Sequence, residues 1–248
     1  MHRSKNEKVV VIVHTLQDES NIRIAAFDFD GTSIDGNSPV LLVRYLLEHK
    51  MLSKRVVFKI LIWAAAYVLH IPQRESWVRE LVFTAFEGTP KQDADTFLMQ
   101  FYDEVIARQG RFRDQADNAI AMLHDAGIST WCVSATFEPI VRRACEFHNF
   151  DVQLSTEMST DENGCYVTQV QGECIEGAQK VTAITQYADK VYGPGNWELV
   201  YAFGDHYSDI PMLSAAQHAV AINPDHTLAR RARKDGWTIC DWMQKKRA

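Results

Sequence analysis

The chain has 248 residues, which suits one large domain or a core domain with one sizeable insertion. With 46% hydrophobic and 23% charged residues, its composition is that of a globular protein. A formal net charge of -6 argues against nucleic acid as a partner, because nucleic-acid-binding proteins usually carry a basic stripe. Five cysteines without a CxxC pair indicate neither a disulfide framework nor a zinc site.

The first third of the chain predicts strands followed by a helical block. Val9–Val13 and Ile24–Phe27 are apolar and β-branched, as strands are, and the first run is too short for a signal peptide or a transmembrane helix. We therefore expect a cytoplasmic protein. Ser38 and Pro39 indicate an N-cap followed by proline at the first helical position. Further helices are predicted from Ser53, over Glu75–Glu87, and from a Thr89-Pro90 cap to Gly110.

The rest of the chain alternates short apolar strands with helices. Strands are predicted in "STWCVSA", "ELVYAFGD" and "HAVAINP", and a β-hairpin in "DVQLSTEMSTDENGCYVTQVQGE", where Asn163-Gly164 marks the turn. Such alternation is typical of βαβ units. The predicted fold is therefore α/β, a Rossmann-like, doubly wound and mostly parallel sheet formed by residues 1–36 and 114–248. Residues 37–113 are expected to form an inserted all-helical cap domain.

Polar side chains follow three predicted strands at their carboxyl ends, where ligands bind in open α/β sheets. "IAAFDFD" ends in Asp28 and Asp30, "TWCVSAT" carries Ser134, and "VYAFGDHYSD" carries Asp205 and Asp209. Residues two apart share a face of a strand, and residues four apart share a face of a helix. Each aspartate pair can therefore converge on one point above the sheet.

Several carboxylates at one point repel each other unless a cation lies among them. All-oxygen ligands favour Mg²⁺, which typically binds one or two carboxylates together with a phosphate. A phosphate also needs a lysine, a hydroxyl group and backbone N–H donors, which Lys180 and the "DGT" and "SAT" segments can supply. One carboxylate can attack phosphorus, while a second protonates the leaving oxygen and later activates water.

The ordered set of "DFDGT", a serine closing an apolar strand, a lysine and "GDHYSD" resembles the four motifs of the haloacid dehalogenase-like superfamily of phosphatases. The helical block after the first motif resembles the cap of the phosphoserine phosphatase-like branch. The resemblance runs from Ile24 to about Asp225. It implies Mg²⁺-dependent hydrolysis of a phosphomonoester through a covalent aspartyl-phosphate intermediate.

The resemblance also implies a role for each matching residue. It makes Asp28 the nucleophile and Asp30 the general acid and base. The metal ligands that it implies are the side chains of Asp28 and Asp205 and the main-chain carbonyl of Asp30, and Asp209 supports the metal shell or the lysine. The residues that it implies for phosphate binding are Gly31, Thr32, Ser134, Ala135 and Lys180.

Two departures from the branch bear on the substrate. Phosphoserine phosphatases usually carry a glutamate shortly after the first motif, where this chain has Asn37 with Asp35 nearby. A Ser-Gly-Gly run often follows their second motif, where this chain has "SATF". Both departures favour another small phosphorylated metabolite over phosphoserine.

Two alternatives remain open at this point. The apolar core of Phe58–Leu69 is too short to span a bilayer and suits a buried or interfacial helix. A bacterial phosphatidylglycerophosphate phosphatase of the same branch has a similarly apolar cap, so one alternative is a lipid-phosphate phosphatase in peripheral contact with the inner face of the membrane. The other is a phospho-accepting receiver-type signalling domain, which the helical insertion and the position of Asp30 disfavour.

Overall fold

A sheet of six parallel strands forms the centre of the structure, a computed structural model that describes residues 21–52 and 82–242. The strands are β1 (Ile22–Phe27), β2 (Ser129–Phe137), β3 (Val152–Thr156), β4 (Met158–Thr160), β5 (Tyr166–Val170), β6 (Trp197–Gly204), β7 (His218–Ile222) and β8 (Thr238–Cys240). The order across the sheet is β3-β2-β1-β6-β7-β8, while β4 and β5 form a separate antiparallel pair. The predicted α/β class with a mostly parallel sheet is confirmed.

Helices cover both faces of this sheet. They are α1 (Ser38–Glu48), α2 (Lys91–Phe101), α3 (Asp114–Asp125), α4 (Glu138–Phe147), α5 (Ala178–Tyr192), α6 (Ile210–Ala215) and α7 (His226–Asp235). A π-helical stretch, Tyr102–Ala107, continues α2, and one 3-10 turn, Tyr207–Asp209, precedes α6. None of the helices that the structure describes is long and apolar enough to cross a bilayer.

The period of two along β1 divides the core into two clusters. Ala25 and Phe27 belong to a cluster that α1 to α4 cover, whereas Ile24 and Ala26 belong to a cluster that α5 to α7 cover. The first cluster continues from the sheet into the helices of the block 37–113, since Leu46, Leu98 and Ile106 belong to it. Because helices cover both faces of the sheet, the buried strands carry apolar residues on both sides instead of alternating apolar and polar residues.

Within 37–52 and 82–113, the described parts of the helical block, the regular structure is helical, as predicted. Asn37, not Ser38, is the N-cap of α1, and its side chain accepts a hydrogen bond from the Val40 N–H. Ser38 is instead the first helical residue, which frees its hydroxyl for another partner. Pro90 precedes α2, and no side chain caps that helix.

Three predictions for the later elements need correction. The segment predicted as one hairpin contains β3, which joins the main sheet beside β2, and only β4 and β5 form the hairpin. The helix predicted to run to Gly110 leaves α-helical geometry after Phe101. The three-residue strand β8 has no predicted counterpart.

Other predictions fall outside the described residues. They are the strand Val9–Val13, the helix from Ser53 with its apolar segment Phe58–Leu69, and most of Glu75–Glu87. Of that last helix, residues 82–86 are described and are helical, and Gly88 follows at φ +73°, where glycine ends a helix without steric cost.

Candidate active site

The carboxyl ends of three neighbouring strands bring the predicted site residues together. β1 is hydrogen-bonded to β2 on one side and to β6 on the other. Asp28 directly follows β1, and its N–H donates to the Phe203 carbonyl at 2.9 Å. Ser134 lies near the end of β2, and Asp205 directly follows β6. Strand pairing alone therefore places motifs from three distant parts of the chain at one edge of the sheet.

Lys180 is the cation at this edge. It lies in the first turn of α5, 3% exposed, and its Nζ donates to Asp28 Oδ1 at 2.5 Å and to Asp209 Oδ1 at 2.6 Å. Burial acts to lower the pKa of Lys180, but the carboxylates of Asp209 and Asp28 outweigh it and hold that pKa above its ordinary value. The lysine is therefore held in its charged form.

Asp205 depends on the turn that follows β1. The Thr32 hydroxyl donates to Asp205 Oδ1 at 3.1 Å. Gly31 has φ +72°, and a Cβ built on it would lie 2.0 Å from Asp205 Oδ2. Glycine is therefore required at position 31 for two reasons: the backbone has positive φ, and the Asp205 carboxylate approaches closely.

Both carboxylate oxygens of Asp209 accept hydrogen bonds. Oδ1 accepts from Lys180, and Oδ2 accepts from the N–H groups of Asp205 and His206, each at 3.2 Å. Gly204 gives it space, because a Cβ there would lie 2.6 Å from the Cβ of Asp209. Asp209 therefore contacts both the lysine and the loop after β6, and the supporting role expected for it stays a prediction.

Asp28, Asp205 and Asp209 form the acidic group best suited to a metal ion among the described residues. Each offers an oxygen, and these oxygens lie within 4.8 Å of one another. Burial, and then repulsion by Asp28 and Asp209, raises the pKa of Asp205 to about 9. Burial raises the pKa of Asp28 to about 7 even though Lys180 opposes it. The raised pKa values of Asp28 and Asp205 show that their ionised forms are disfavoured without a cation, which fits a site that binds a divalent metal ion.

The side chain of Asp30 is held by residues of α1 and β2. Its Oδ1 accepts from the Ser38 N–H at 2.5 Å, and its Oδ2 accepts from the hydroxyls of Ser38 at 2.8 Å and Thr136 at 2.6 Å. Burial raises the pKa of Asp30, and these hydrogen bonds act in the opposite direction. Asp30 is not one of the three carboxylates of the acidic group, and its expected metal contact, through the main-chain carbonyl, stays a prediction.

The residues expected to bind phosphate differ in the hydrogen bonds that they already make within the protein. The Gly31 N–H donates to the Gly36 carbonyl at 2.9 Å, and the Thr32 side chain is engaged with Asp205. Ser134 is 1% exposed, and its Oγ accepts from the Thr136 N–H at 3.0 Å. Ala135 between them is partly exposed. Their phosphate contacts stay predictions.

Three residues that shape this site were not predicted from the sequence. Ser38 and Thr136 contact Asp30, and Arg113 supports the first loop by donating to the Gly31 carbonyl at 3.3 Å and lying 3.7 Å from Asp35. Thr136 had one usable signal, because it is a hydroxyl residue two positions beyond Ser134, at the carboxyl end of the same strand. Nothing in the sequence connects Arg113 with the first motif, which lies about 80 residues earlier.

Comparison with known proteins decides the family. A sequence model described as haloacid dehalogenase-like hydrolase matches residues 25–214. The chain belongs to this family. The resemblance stated from the four motifs, and the enzyme class that it implied, a hydrolase, are thereby confirmed, since the match covers the first motif, Ser134, Lys180 and the Asp205 loop.

Individual relatives of this haloacid dehalogenase-like hydrolase carry phosphatase names. A Mycobacterium tuberculosis protein named phosphoserine phosphatase is 29% identical over 227 residues, which cover 90% of this chain and 72% of the relative. A Bordetella pertussis structure of unknown function has a TM-score of 0.77 at 19% identity, covering 90% of this chain and all of that one. A phospho-aspartyl intermediate analogue of phosphoserine phosphatase has a TM-score of 0.58 at 19% identity, covering 90% and 95%. At these identities the two structures confirm the fold.

Proposed function

We propose that this hydrolase is a Mg²⁺-dependent phosphatase that cleaves a small phosphomonoester through an aspartyl phosphate on Asp28. One observation carries the proposal. Lys180 lies within 2.6 Å of both Asp28 and Asp209, beside the carboxylate of Asp205. A buried lysine that neutralises an aspartate at a strand end suits a phosphoryl group, whose charge spreads over three oxygens.

In the first step, Asp28 attacks phosphorus, and the bond between Asp28 and phosphorus forms as the bond to the leaving alcohol breaks. Asp30 gives its proton to the leaving oxygen, which departs as the neutral alcohol. Lys180 and the hydroxyl of Ser134 face the phosphoryl oxygens. Asp28 and Asp205 would hold Mg²⁺, which would supply positive charge that favours the ionised, nucleophilic form of Asp28.

In the second step, Asp30 takes a proton from water, and the water oxygen attacks phosphorus. The bond between phosphorus and Asp28 breaks, which releases inorganic phosphate and restores both aspartates. Asp30 acts as acid and then as base, so each turnover returns it to its protonated state. Lys180 remains charged throughout, because the Asp209 carboxylate lies against it and Asp28 carries a negative charge either as a carboxylate or through its phosphoryl group.

The loop between β1 and α1, which contains Asp35 and Asn37, favours a substrate other than phosphoserine. The Mycobacterium tuberculosis relative is nevertheless named a phosphoserine phosphatase. Asn37 stands where a glutamate would meet an amino group, and its side-chain oxygen caps α1 instead. Asp35, the nearest carboxylate, lies 3.7 Å from the Arg113 guanidinium. We propose that selection of the leaving group belongs to the helical block 37–113, acting as a cap on the core of residues 1–36 and 114–248.

A panel of phosphomonoesters with Mg²⁺ tests the proposal. It includes p-nitrophenyl phosphate, phosphoserine, other small phosphorylated metabolites and lysophosphatidic or glycerophosphate lipids. We expect repeated turnover of p-nitrophenyl phosphate and a marked preference for one small polar ester. A single phosphorylation of Asp28 with slow release would instead identify a receiver-type domain. Preference for the lipid phosphates would favour the membrane-surface alternative, which rests on the apolar segment outside the described residues.

A further inference from the structure

Three hydrogen bonds fix the Asp30 carboxylate, and they come from residues far apart in the chain. Ser38 provides two, from its N–H and its hydroxyl, and Thr136 provides the third. The two hydroxyl oxygens also lie 2.8 Å from each other, so they form a closed triangle with Asp30 Oδ2. Ser38 is 1% exposed and Thr136 is 4% exposed, which leaves water little access to compete for these donors.

The local backbone directs both hydroxyls to Asp30. Ser38 is the first residue of α1, where the N–H has no partner within the helix, so a carboxylate can accept from it. Thr136 lies in a bulge of β2, because Ser134 pairs with Ser155 while Phe137 pairs with the next residue, Thr156. A bulge beside a site re-aims a side chain that a regular strand would direct elsewhere.

We propose that Ser38 and Thr136 are positioning residues that hold Asp30 toward the leaving oxygen, and that they connect the first helix of the helical block with the core at this aspartate. The proposal rests on the function proposed above. Asp30 lies in a turn beyond the end of β1, where its side chain could otherwise rotate. Proton transfer requires the carboxyl oxygen to lie within about 3 Å of its partner, and a misplacement of about 1 Å can cost roughly a hundredfold in rate.

Two aryl esters with different leaving groups test this role. Phenyl phosphate has a poor leaving group and depends on protonation, whereas p-nitrophenyl phosphate does not. The variants are Thr136→Val, which removes the hydroxyl at similar volume, and Thr136→Ser, which keeps it. The measurement is the single-turnover release of the phenol, because later hydrolysis of the aspartyl phosphate also uses Asp30.

We expect Thr136→Val to slow phenol release at least about tenfold and nitrophenol release less than threefold, with KM unchanged, and Thr136→Ser to recover most of the loss. Ser38→Ala should show the same pattern with a smaller effect, because the Ser38 N–H still donates to Asp30. Thr130→Val is the matched control. Thr130 is another buried threonine of β2, but its hydroxyl faces His124 at 2.8 Å, so both rates should stay within about twofold.

Crystal structures of the wild type and the variants separate this proposal from the proposed function. We expect the Asp30 carboxylate to rotate in Thr136→Val and to keep its orientation in Thr136→Ser. An unchanged Asp30 orientation in Thr136→Val, or an equal loss on both esters that serine does not restore, overturns the positioning role. A wild-type protein that hydrolyses no phosphomonoester overturns the function, and the orientation of Asp30 in the crystals then decides whether Thr136 holds it.

Discussion

At the scale of single residues, buried charge distinguishes the candidate site. Asp28, Lys180 and Asp209 are 7%, 3% and 1% exposed, although charged side chains are seldom fully buried unless they are paired. Two carboxylates share one ammonium group here, and Asp205 adds a third carboxylate beside them. Removing charges from water costs several kcal/mol for each ion, so a buried ion pair is weak evidence of stabilisation. The arrangement therefore serves binding and chemistry rather than stability.

Replacement of Asp28 tests the nucleophile. Asp28→Asn is nearly isosteric and leaves Lys180 paired with Asp209, so the fold should persist. Turnover of p-nitrophenyl phosphate should fall at least about a hundredfold, because the amide cannot attack phosphorus. Steady-state assays and thermal unfolding measure the two effects. The exposed Asp125→Asn is a control for the chemical change, and more than a few per cent of residual activity in Asp28→Asn would contradict the covalent mechanism.

Alanine substitution at two glycines with the same backbone conformation distinguishes backbone strain from crowding of Asp205. Gly31 has φ +72° and Gly172 has φ +76°, so alanine at either position costs about 1 kcal/mol of conformational strain. Only at Gly31 does the new Cβ meet Asp205; at Gly172 nothing lies within 4 Å. Gly31→Ala should therefore abolish activity and the thermal stabilisation by Mg²⁺, whereas Gly172→Ala should keep both. Equal behaviour of the two variants would show that crowding of Asp205 is unimportant.

The sequence predicted the charged residues of the site better than their partners. Asp28, Lys180, Asp205 and Asp209 were identified because each follows a strand or matches an ordered motif. The contacts of Ser38 and Thr136 with Asp30 were not predicted, since Thr136 is 106 residues from Asp30 and its direction depends on a bulge. A propensity-based interpretation assigns strand at that position but not the irregularity within it.

At the scale of elements, the hairpin of β4 and β5 contacts the helical block. Backbone hydrogen bonds join Gly88 and Thr89 with Tyr166, each at 2.9 Å. The Tyr166 hydroxyl also donates to Asp95 Oδ1 at 2.5 Å, and Lys91 donates to both Asp95 Oδ2 and the tyrosine hydroxyl at 2.9 Å. Asp95 and Tyr166 are buried while Lys91 is exposed, and together they attach α2 to the core through the hairpin.

A double-mutant cycle tests this attachment. Tyr166→Phe and Asp95→Asn each weaken the bond between the two side chains, and each should lower the free energy of unfolding. The double variant should be less destabilised than the sum by about 1–2 kcal/mol, because a bond already lost cannot be lost again. Denaturant unfolding of the four proteins measures the coupling. Additive effects would show that the hydroxyl and the carboxylate stabilise the protein independently.

Most elements were predictable because their ends carry local signals. Gly88 and Gly110 end helical segments at positive φ, and Pro39 lies in the first turn of α1, as predicted. The assignment of β3 to the main sheet depends on pairing with β2, and the short strand β8 depends on pairing with β7. These pairings join distant segments, which local propensity does not specify.

At the scale of the whole molecule, the parallel sheet places the strand-end motifs at the carboxyl ends of its strands, and the described helices α1 and α2 share one core cluster with α3 and α4. Metal-free protein must therefore fold around a concentrated acidic edge. Burying these carboxylates without a metal costs free energy of folding. We expect this cost to lower the stability of the entire chain, because Asp28 and Asp205 directly follow the two central strands β1 and β6.

The final prediction concerns this cost. Burial raises the pKa of Asp205 to about 9 and that of Asp28 to about 7, from 3.8. The folded metal-free protein thus holds protons that the unfolded chain releases, so the contribution of these groups to stability falls as the pH rises from about 4 through about 9. Mg²⁺ competes with those protons and binds only the folded state. The rise in Tm on adding Mg²⁺ to EDTA-treated protein should therefore grow with pH over this window, and Asp205→Asn should greatly reduce it. A shift of equal size at both ends of the window, or one that Asp205→Asn leaves intact, would place the metal elsewhere.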